Sequence, residues 1–343
     1  MKIGFIAPQS ISVVNGGVRT QALMTAQSLV ELGVEVVFIS PWDDISDTEF
    51  DLFHVFTAGY ETIGIVSRLR ELHKKIVVSP VMFSNRGFKT IQRALTIEEK
   101  LSSLSKGIRS EFGIKKEVCN LADRILPNTS DEAELISKAF EIDSSKINVV
   151  PNGVELRFLS SKPELFIEKT GLKDFVLFAG QASAPRKNVL SLINAVQELE
   201  VDLVIIGDFD NTGYSKVCIE HASKNKDVYL FDSISHDSEL LSSAYAACKV
   251  FALPSQFETP GIAAMEAALA GANIVITQDG GTKDYFNENA EYVAHNSVES
   301  IKEGIKKGLE KPKTKELSKH ISENYSWDKV GKLTLSNYQE LVV

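Results

Sequence analysis

The chain repeats one pattern almost from end to end: a short, nearly unbroken run of branched apolar residues, a loop, then a longer amphipathic stretch. Met1–Ala7 reads as the first strand. The glycine loop Asn15–Gly16–Gly17 follows, then a helix over Thr20–Leu32 whose Ala22, Leu23, Ala26, Leu29 and Val30 recur at helical spacing. Gly33 ends it, as a residue free to take positive φ does after a last helical turn. Val34–Ser40, Leu52–Phe56, Lys75–Val81 and Arg124–Pro127 are the next strands. The rhythm then restarts, with strands at Phe175–Ala179, Val201–Ile206, Val228–Phe231, Lys249–Leu253 and Asn273–Ile276 and a helix at Val189–Leu199. Strands with no polar alternation are buried on both faces, which calls for a parallel sheet covered by helices on each side.

Two such series make an α/β protein of two Rossmann-like, doubly wound domains with a cleft between them. A chain of 343 residues is also too long for one ordinary core, and domains of roughly 150 residues are expected. The series meet near 151–172, where Pro151, Asn152, Gly153 and Pro163 punctuate the chain. We place the first domain at 1–158 and the second at 159–326. A terminal amphipathic helix at 327–343, carrying Val330, Leu333, Leu335, Tyr338 and Leu341, completes the first. In open sheets of this kind ligands sit beyond the carboxyl ends of the strands, so chemistry is sought in the loops that follow strands.

A formal net charge of −9 argues against a general nucleic-acid binder. One stretch runs against the balance: residues 68–116 hold 12 Lys and Arg, including Arg86, Lys89, Arg93, Lys106 and Lys116, against four acids. This is either a set of solvated helix faces or a surface for anionic lipid or an anionic acceptor. The three cysteines, Cys119, Cys218 and Cys248, fit neither a metal pattern nor an even disulfide set, so a reducing compartment, the cytoplasm, is expected. The apolar run Ile3–Ala7 is too short for a signal peptide, and no stretch approaches the length of a membrane span.

The densest signal follows the strand ending at Leu253. It runs from Pro254 through Glu258-Thr259-Pro260-Gly261-Ile262 to Glu266 and Gly271. Thr259 reads as an N-cap, Pro260 as the first helical residue, and Gly261 as a point where a ligand approaches the backbone. The unpaired amides that follow form an anion site suited to phosphate. Glu258 lies before the helix and Glu266 lies six residues after Pro260, about 9 Å deeper at the rise of a helix. A nucleotide sugar presents a sugar, two phosphates and a ribose in a row, and this ladder of groups matches it.

The segment resembles the E-x7-E signature of retaining GT-B glycosyltransferases, particularly glycosyltransferase family 4. Asn15-Gly-Gly-Val-Arg19 is similar to the family's first glycine loop, Pro151-Asn-Gly-Val154 to its interdomain turn, and Pro185-Arg-Lys-Asn188 to the site of its phosphate-binding lysine. Val204–Gly207, Tyr245–Pro254 and the helix opening at Trp327 also resemble family segments. The resemblance implies that Lys187, with Arg186, neutralises the donor diphosphate and that Glu258 positions the sugar. Glu266 would hold the ribose. Gly16 and Gly17 would bring backbone to the phosphates or sugar, and Ile234, within Asp232–Ser235, would pass near the base. Two family features are missing: Gln181 stands where an Arg usually follows Gly180, and no His follows the strand at Ile76–Val81. His54 would face the acceptor in the family, although a lone histidine is more often structural.

The expected activity is transfer of a hexose-type sugar, with retention, from a nucleoside-diphosphate sugar to a hydroxyl of a glycan, lipid-linked or small-molecule acceptor. The departing phosphate oxygen would take the acceptor's proton. The nucleotide sugar is a co-substrate, and no cofactor is expected. No metal is expected either, since fixed cations and amides replace it and no Asp-x-Asp metal signature is read. Two alternatives stay open: a sugar-nucleotide 2-epimerase on the same fold, and a non-catalytic sugar-nucleotide-binding subunit of a polysaccharide assembly system. Peripheral contact with an anionic membrane, on its inner face, would follow if the basic stretch is a surface.

Overall fold

A computed structural model describes residues 1–13, 16–45, 49–84, 86–104 and 109–342. Asn15 of the first glycine loop and Lys106 of the basic stretch lie outside the described residues.

The chain divides into two compact units, Met1–Gly153 with Trp327–Val343, and Val154–Ser326. The division falls after Gly153 rather than at 158. The reason lies in Val154–Ser160: Val154 N–H donates to the Tyr325 carbonyl at 2.8 Å, and Phe158 is fully buried in the second unit's core.

The first unit holds five parallel strands: β1 (Lys2–Ile6), β2 (Glu35–Phe38), β3 (Leu52–Phe56), β4 (Ile76–Ser79) and β5 (Arg124–Ile125), in the order β2-β1-β3-β4-β5. The inner strands β3 and β4 are buried along their whole length, while half-exposed β2 forms an edge. The first helix spans Gly17–Glu31 and buries Ala22, Ala26 and Leu29 with the small polar Thr25 and Ser28; Leu23 and Val30, expected on its inner face, are exposed. The terminal helix Trp327–Val342 returns to this unit, where Trp327 packs so closely on Gly153 that an added Cβ there would meet its ring at 2.5 Å.

His54 is the third residue of β3. It is buried, with Nδ1 at 2.6 Å from the Tyr338 hydroxyl and Nε2 at 2.9 Å from Ser79 Oγ, and it stacks on Phe56. Burial lowers its pKa to about 3, so it is a neutral, satisfied core residue.

The second unit holds six parallel strands: β6 (Val176–Ala179), β7 (Leu203–Ile206), β8 (Val228–Phe231), β9 (Val250–Leu253), β10 (Asn273–Thr277) and β11 (Ala290–Val293). Their order is β11-β10-β9-β6-β7-β8. The strand β11, Ala-Glu-Tyr-Val, sits at the edge with two half-exposed residues and lacks the unbroken apolar run by which the other strands were read. The connections reverse direction between β6 and β9, which makes that seam the topological switch point. Along it the ladder pairs Val176 with Val250 and Leu177 with Phe251 and then stops. Phe178, Ala179, Ala252 and Leu253, at the carboxyl ends, have no partner across the seam.

Candidate functional site

The loops leaving β6 and β9 carry the expected ligands of a diphosphate. After β6, Pro185–Lys187 makes one turn of 3-10 helix, and Asn188 takes a left-handed conformation that launches the helix Val189–Val196. The Asn188 amide bridges the Pro254 carbonyl at 3.0 Å and the His295 carbonyl at 2.7 Å, tying the loops after β6, β9 and β11 together. Gln256 N–H donates to the Arg186 carbonyl at 2.8 Å, a second tie between the same two loops.

These ties place Lys187 against Glu258. Lys187 Nζ lies 2.5 Å from Glu258 Oε1, and the two side chains are 13% and 8% exposed. Arg186 Nη1 is 3.9 Å from the same oxygen, and its guanidinium lies 5.7 Å from the Phe257 ring. Arg186 thus puts a second cation beside the carboxylate, in a loop where Gln181 supplies none. Behind Glu258, Gly280 (φ 99°) comes so close that an added Cβ would sit 2.5 Å from the Glu258 carbonyl oxygen. Glu258 N–H donates to the Asp279 carbonyl at 3.1 Å. Ser255, fully buried in the same loop, has no hydrogen-bond partner for Oγ among the described residues.

The helix after Glu258 is Ile262–Leu269, with Gly261 at the N-cap. Thr259 is therefore not the N-cap and Pro260 is not the first helical residue. The turn is made by Gly261 itself, at φ 84°, and an added Cβ there would press on Leu253 and Ile276 at 3.1 and 3.3 Å. Gly261 is required by backbone conformation and by packing on the sheet rather than by an approaching ligand. The consequence for the anion site is favourable. No side chain caps this helix, Ala264 is the first amide bonded back to Gly261, and Ile262 and Ala263 N–H find no acceptor among the described residues. Exposed amides at a helix start carry partial positive charge and suit an anion.

Glu266, one turn further on, is 4% exposed. Its Oε2 accepts from the Tyr245 hydroxyl at 3.0 Å, and its Oε1 lies 2.7 Å from His236 Nε2. Glu266 thus lies buried within the helix, held by two protein side chains. Its two protein partners, Tyr245 and His236, were not foreseen. A signal existed for Tyr245: it is a single phenol on the apolar helix Glu239–Ala247, and a buried hydroxyl must find an acceptor. None existed for His236, which lies in a polar loop.

Ile234 is half-buried against the second unit's core, beside the exposed Ser233 and Ser235. Gly16 and Gly17 belong to the first unit. Gly16 is an N-cap in an extended conformation that does not require glycine, and Gly17 opens the first helix with open space where its Cβ would stand.

Asp208 and Asp210 do form an Asp-x-Asp pair, contrary to the expectation from sequence. Each has a local structural partner: Asp208 Oδ1 accepts Ser233 N–H at 2.9 Å, while Asp210 Oδ1 accepts Thr212 N–H at 3.0 Å and Ser215 Oγ–H at 2.7 Å. Hydroxyls from Thr212 and Ser215 hold the Asp210 carboxyl below its ordinary pKa.

Five of the twelve cations of the basic stretch are held in ion pairs. Arg109 pairs with Glu117 at 2.6 Å, Lys115 with Glu111 at 2.5 Å, Lys116 with Glu99 at 2.9 Å, Arg68 with Glu71 at 2.7 Å and Arg70 with Asp123 at 3.2 Å. Glu117 and Asp123 lie just outside the stretch, so a count within it overstates its field. Among the described residues no helix is long and apolar enough to cross a membrane.

Residues 163–326 match the family described as Glycosyl transferases group 1. A D-inositol 3-phosphate glycosyltransferase of Stackebrandtia nassauensis is 27% identical over 185 residues, covering 49% of this chain and 41% of that protein. A protein of Methanocaldococcus jannaschii described as an uncharacterized glycosyltransferase is 26% identical over 226 residues, covering 60% and 57%. The chain spans about two fifths of the length of the first of these relatives. Among solved structures, sucrose-phosphate synthase from Thermosynechococcus elongatus superposes with a TM-score of 0.79 at 14% identity over 99% of each chain. Anabaena HepE in complex with UDP superposes with a TM-score of 0.74 at 17% identity, over 99% of this chain and 100% of that one. The chain carries the two parallel-sheet α/β units of the GT-B fold, and its residues 163–326 are similar to the Glycosyl transferases group 1 family.

Proposed function

We propose that the chain is a retaining GT-B glycosyltransferase of family 4 that moves a hexose-type sugar from a nucleoside-diphosphate sugar to a hydroxyl acceptor. The observation that carries this is the Lys187–Glu258 pair at the switch point, beside the uncapped start of Ile262–Leu269. A lysine ammonium has three donors, so Lys187 keeps two for phosphate oxygens while one holds Glu258. The Ile262 and Ala263 amides add fixed positive charge where the leaving diphosphate gains negative charge, which is stabilisation aimed at the transition state. Glu258 keeps Oε2 for a sugar hydroxyl, and Glu266 accepts from the ribose.

Attack on the same face that the diphosphate leaves gives retention. The acceptor hydroxyl hands its proton to the departing phosphate oxygen, so no separate base is needed. Arg186, Lys187 and the helix amides do the electrostatic work that a divalent ion does elsewhere. Beyond these, His236 and the His295–Asp279 pair, 3.0 Å apart, are titratable groups on the same unit.

A thermal-shift screen of UDP-, GDP- and ADP-sugars tests the reading, because a ligand that binds the folded state raises its stability with concentration. One of these should raise Tm and then release its nucleoside diphosphate in the presence of glycan or lipid-linked acceptors. Stabilisation without any release would favour a non-catalytic binding subunit. No stabilisation by any of them would end the proposal.

A further inference from the structure

Glu266 is held from two sides, and one of its holders can change charge. Tyr245 cannot: burial and the neighbouring Glu266 push its phenol far above its ordinary pKa. His236 can. Its side chain is 45% exposed, and while Nε2 faces Glu266, Nδ1 faces groups of opposite sign. Arg157 Nη2 lies 3.3 Å from Nδ1, Glu155 Oε2 lies 3.5 Å away, and the open Asp237 carboxylate lies 3.7 Å away. Arg157 is anchored independently, donating to the His236 carbonyl at 2.6 Å and lying 4.1 Å over the Phe158 ring.

The two charge states of the ring use these neighbours differently. Neutral His236 with its proton on Nε2 donates to Glu266 and offers a lone pair at Nδ1 to Arg157. The imidazolium has N–H at both positions, so Nδ1 must leave Arg157 and donate to Glu155. The Glu266 hydrogen bond, more than any other neighbour, raises the pKa of His236 above its ordinary value and brings this exchange toward neutral pH.

We propose that His236 is a positioning residue for nucleoside recognition: its Nε2–H aligns the Glu266 carboxylate for the ribose diol, and a proton at Nδ1, exchanging Arg157 for Glu155 as partner, tunes how strongly Glu266 accepts those hydroxyls. This rests on the assignment of Glu266 to the ribose. Ribose hydroxyls draw on the same negative charge that stabilises the imidazolium. Bound ribose therefore favours neutral His236, and by linkage the affinity falls as pH drops through the His236 pKa.

Calorimetric titration with UDP-glucose, GDP-mannose and ADP-glucose tests this, because their diphosphate diesters keep constant charge where a phosphate monoester would titrate. For whichever binds, wild-type affinity should fall about tenfold between roughly pH 8 and 5.5, a pH range reaching across the ordinary His pKa. His236→Gln, which keeps an N–H toward Glu266 but does not titrate, should show no such slope. The 2′-deoxyribose analogue should bind with little slope to either protein. In a separate titration of the histidine side chain by NMR, Glu155→Gln should lower the His236 pKa. A wild-type affinity flat with pH, an equal slope for ribo and 2′-deoxy ligands, or a slope retained in His236→Gln would overturn the inference while leaving the donor site intact. Binding of none of the three sugars would overturn the donor assignment and this inference together.

Discussion

Lys187 and Glu258 are 71 residues apart in sequence, and their charged atoms are 2.5 Å apart. Each is largely buried, so removing one leaves the other's charge poorly compensated, Glu258 keeping only Arg186 at 3.9 Å, at a cost of up to about 3–5 kcal/mol. Lys187→Met and Glu258→Gln should each lower the urea unfolding free energy by roughly 3 kcal/mol, and the double variant by clearly less than the sum. Additive losses would mean that the pair is not formed in solution.

The same pair predicts a split in function. Glu258→Ala should abolish turnover yet leave nucleoside diphosphate affinity equal or higher, because the freed Lys187 ammonium turns to phosphate. Lys187→Met should lower kcat by about 100- to 1000-fold, the usual loss when one preorganised charge donor is removed. Glu266→Ala should weaken both the nucleotide sugar and the nucleoside diphosphate. Calorimetry with each variant checks all three, and a Glu258→Ala protein that loses diphosphate binding contradicts the assignment.

Gly280 supports Glu258 from behind with no room for a side chain. Gly280→Ala must push back the Glu258 main chain, and it also places alanine at φ 99°. We expect a folded protein with kcat lowered by about 100-fold, the scale at which a misplacement near 1 Å is felt. Circular dichroism alongside turnover measurements checks this. Unchanged kcat would mean that the position of Glu258 is set elsewhere.

Glu132 gives the first unit an unusual pH response. Its carboxylate is buried and accepts Met82 and Asn128 amides at 2.7 and 2.8 Å, yet burial outweighs these bonds and raises its pKa from 4.5 to about 7. A raised folded-state pKa means the protonated form is favoured by folding. The contribution is fully present below about pH 4.5 and is lost as pH rises through 7. Its size is on the order of 3 kcal/mol. Glu132→Gln should flatten the fall in urea midpoint between these values, and a wild-type midpoint already flat there would contradict the burial argument.

His54 acts with the opposite sign. Its folded-state pKa is depressed from 6.5 to about 3, so the stability it contributes is present above pH 6.5 and lost as pH falls toward 3. An acid-unfolding midpoint that moves to lower pH in His54→Gln, which cannot charge, is the expected result.

Much of this was legible in the residues. The run Leu52–Phe56 predicts burial on both faces, and that strand appears with the expected bounds and buried throughout; Val228–Phe231 also appears with its expected bounds, but as a partly exposed edge strand. The edge strand Ala290–Val293, with its half-exposed Glu291 and Tyr292, lacks an unbroken apolar run and so left no mark. Around the site, side chains adjacent in sequence to the helix start could be read, since capping and charge rules act over a few residues. The local rule that failed was at Thr259 and Pro260. There a left-handed Gly261, packed on Leu253 and Ile276, decides where the helix begins, and those contacts come from strands β9 and β10. His236, Asn188 and Gly280 act across 30, 66 and 22 residues of chain respectively, on Glu266, Pro254 and Glu258. Only the pairing of strands brings such positions together.

The second unit begins at Val154 and ends at Ser326, and those two residues pair as neighbouring bridge partners. In sequence it is therefore an uninterrupted insert whose entry and exit lie side by side. The first unit, by contrast, is assembled from two pieces of chain that flank it. A cassette with adjoining ends can be excised or transplanted between relatives with a short linker, carrying Lys187, Glu258, His236 and Glu266 as one block. A host made of residues 1–153 alone would lack the helix whose Tyr338 partners the buried His54.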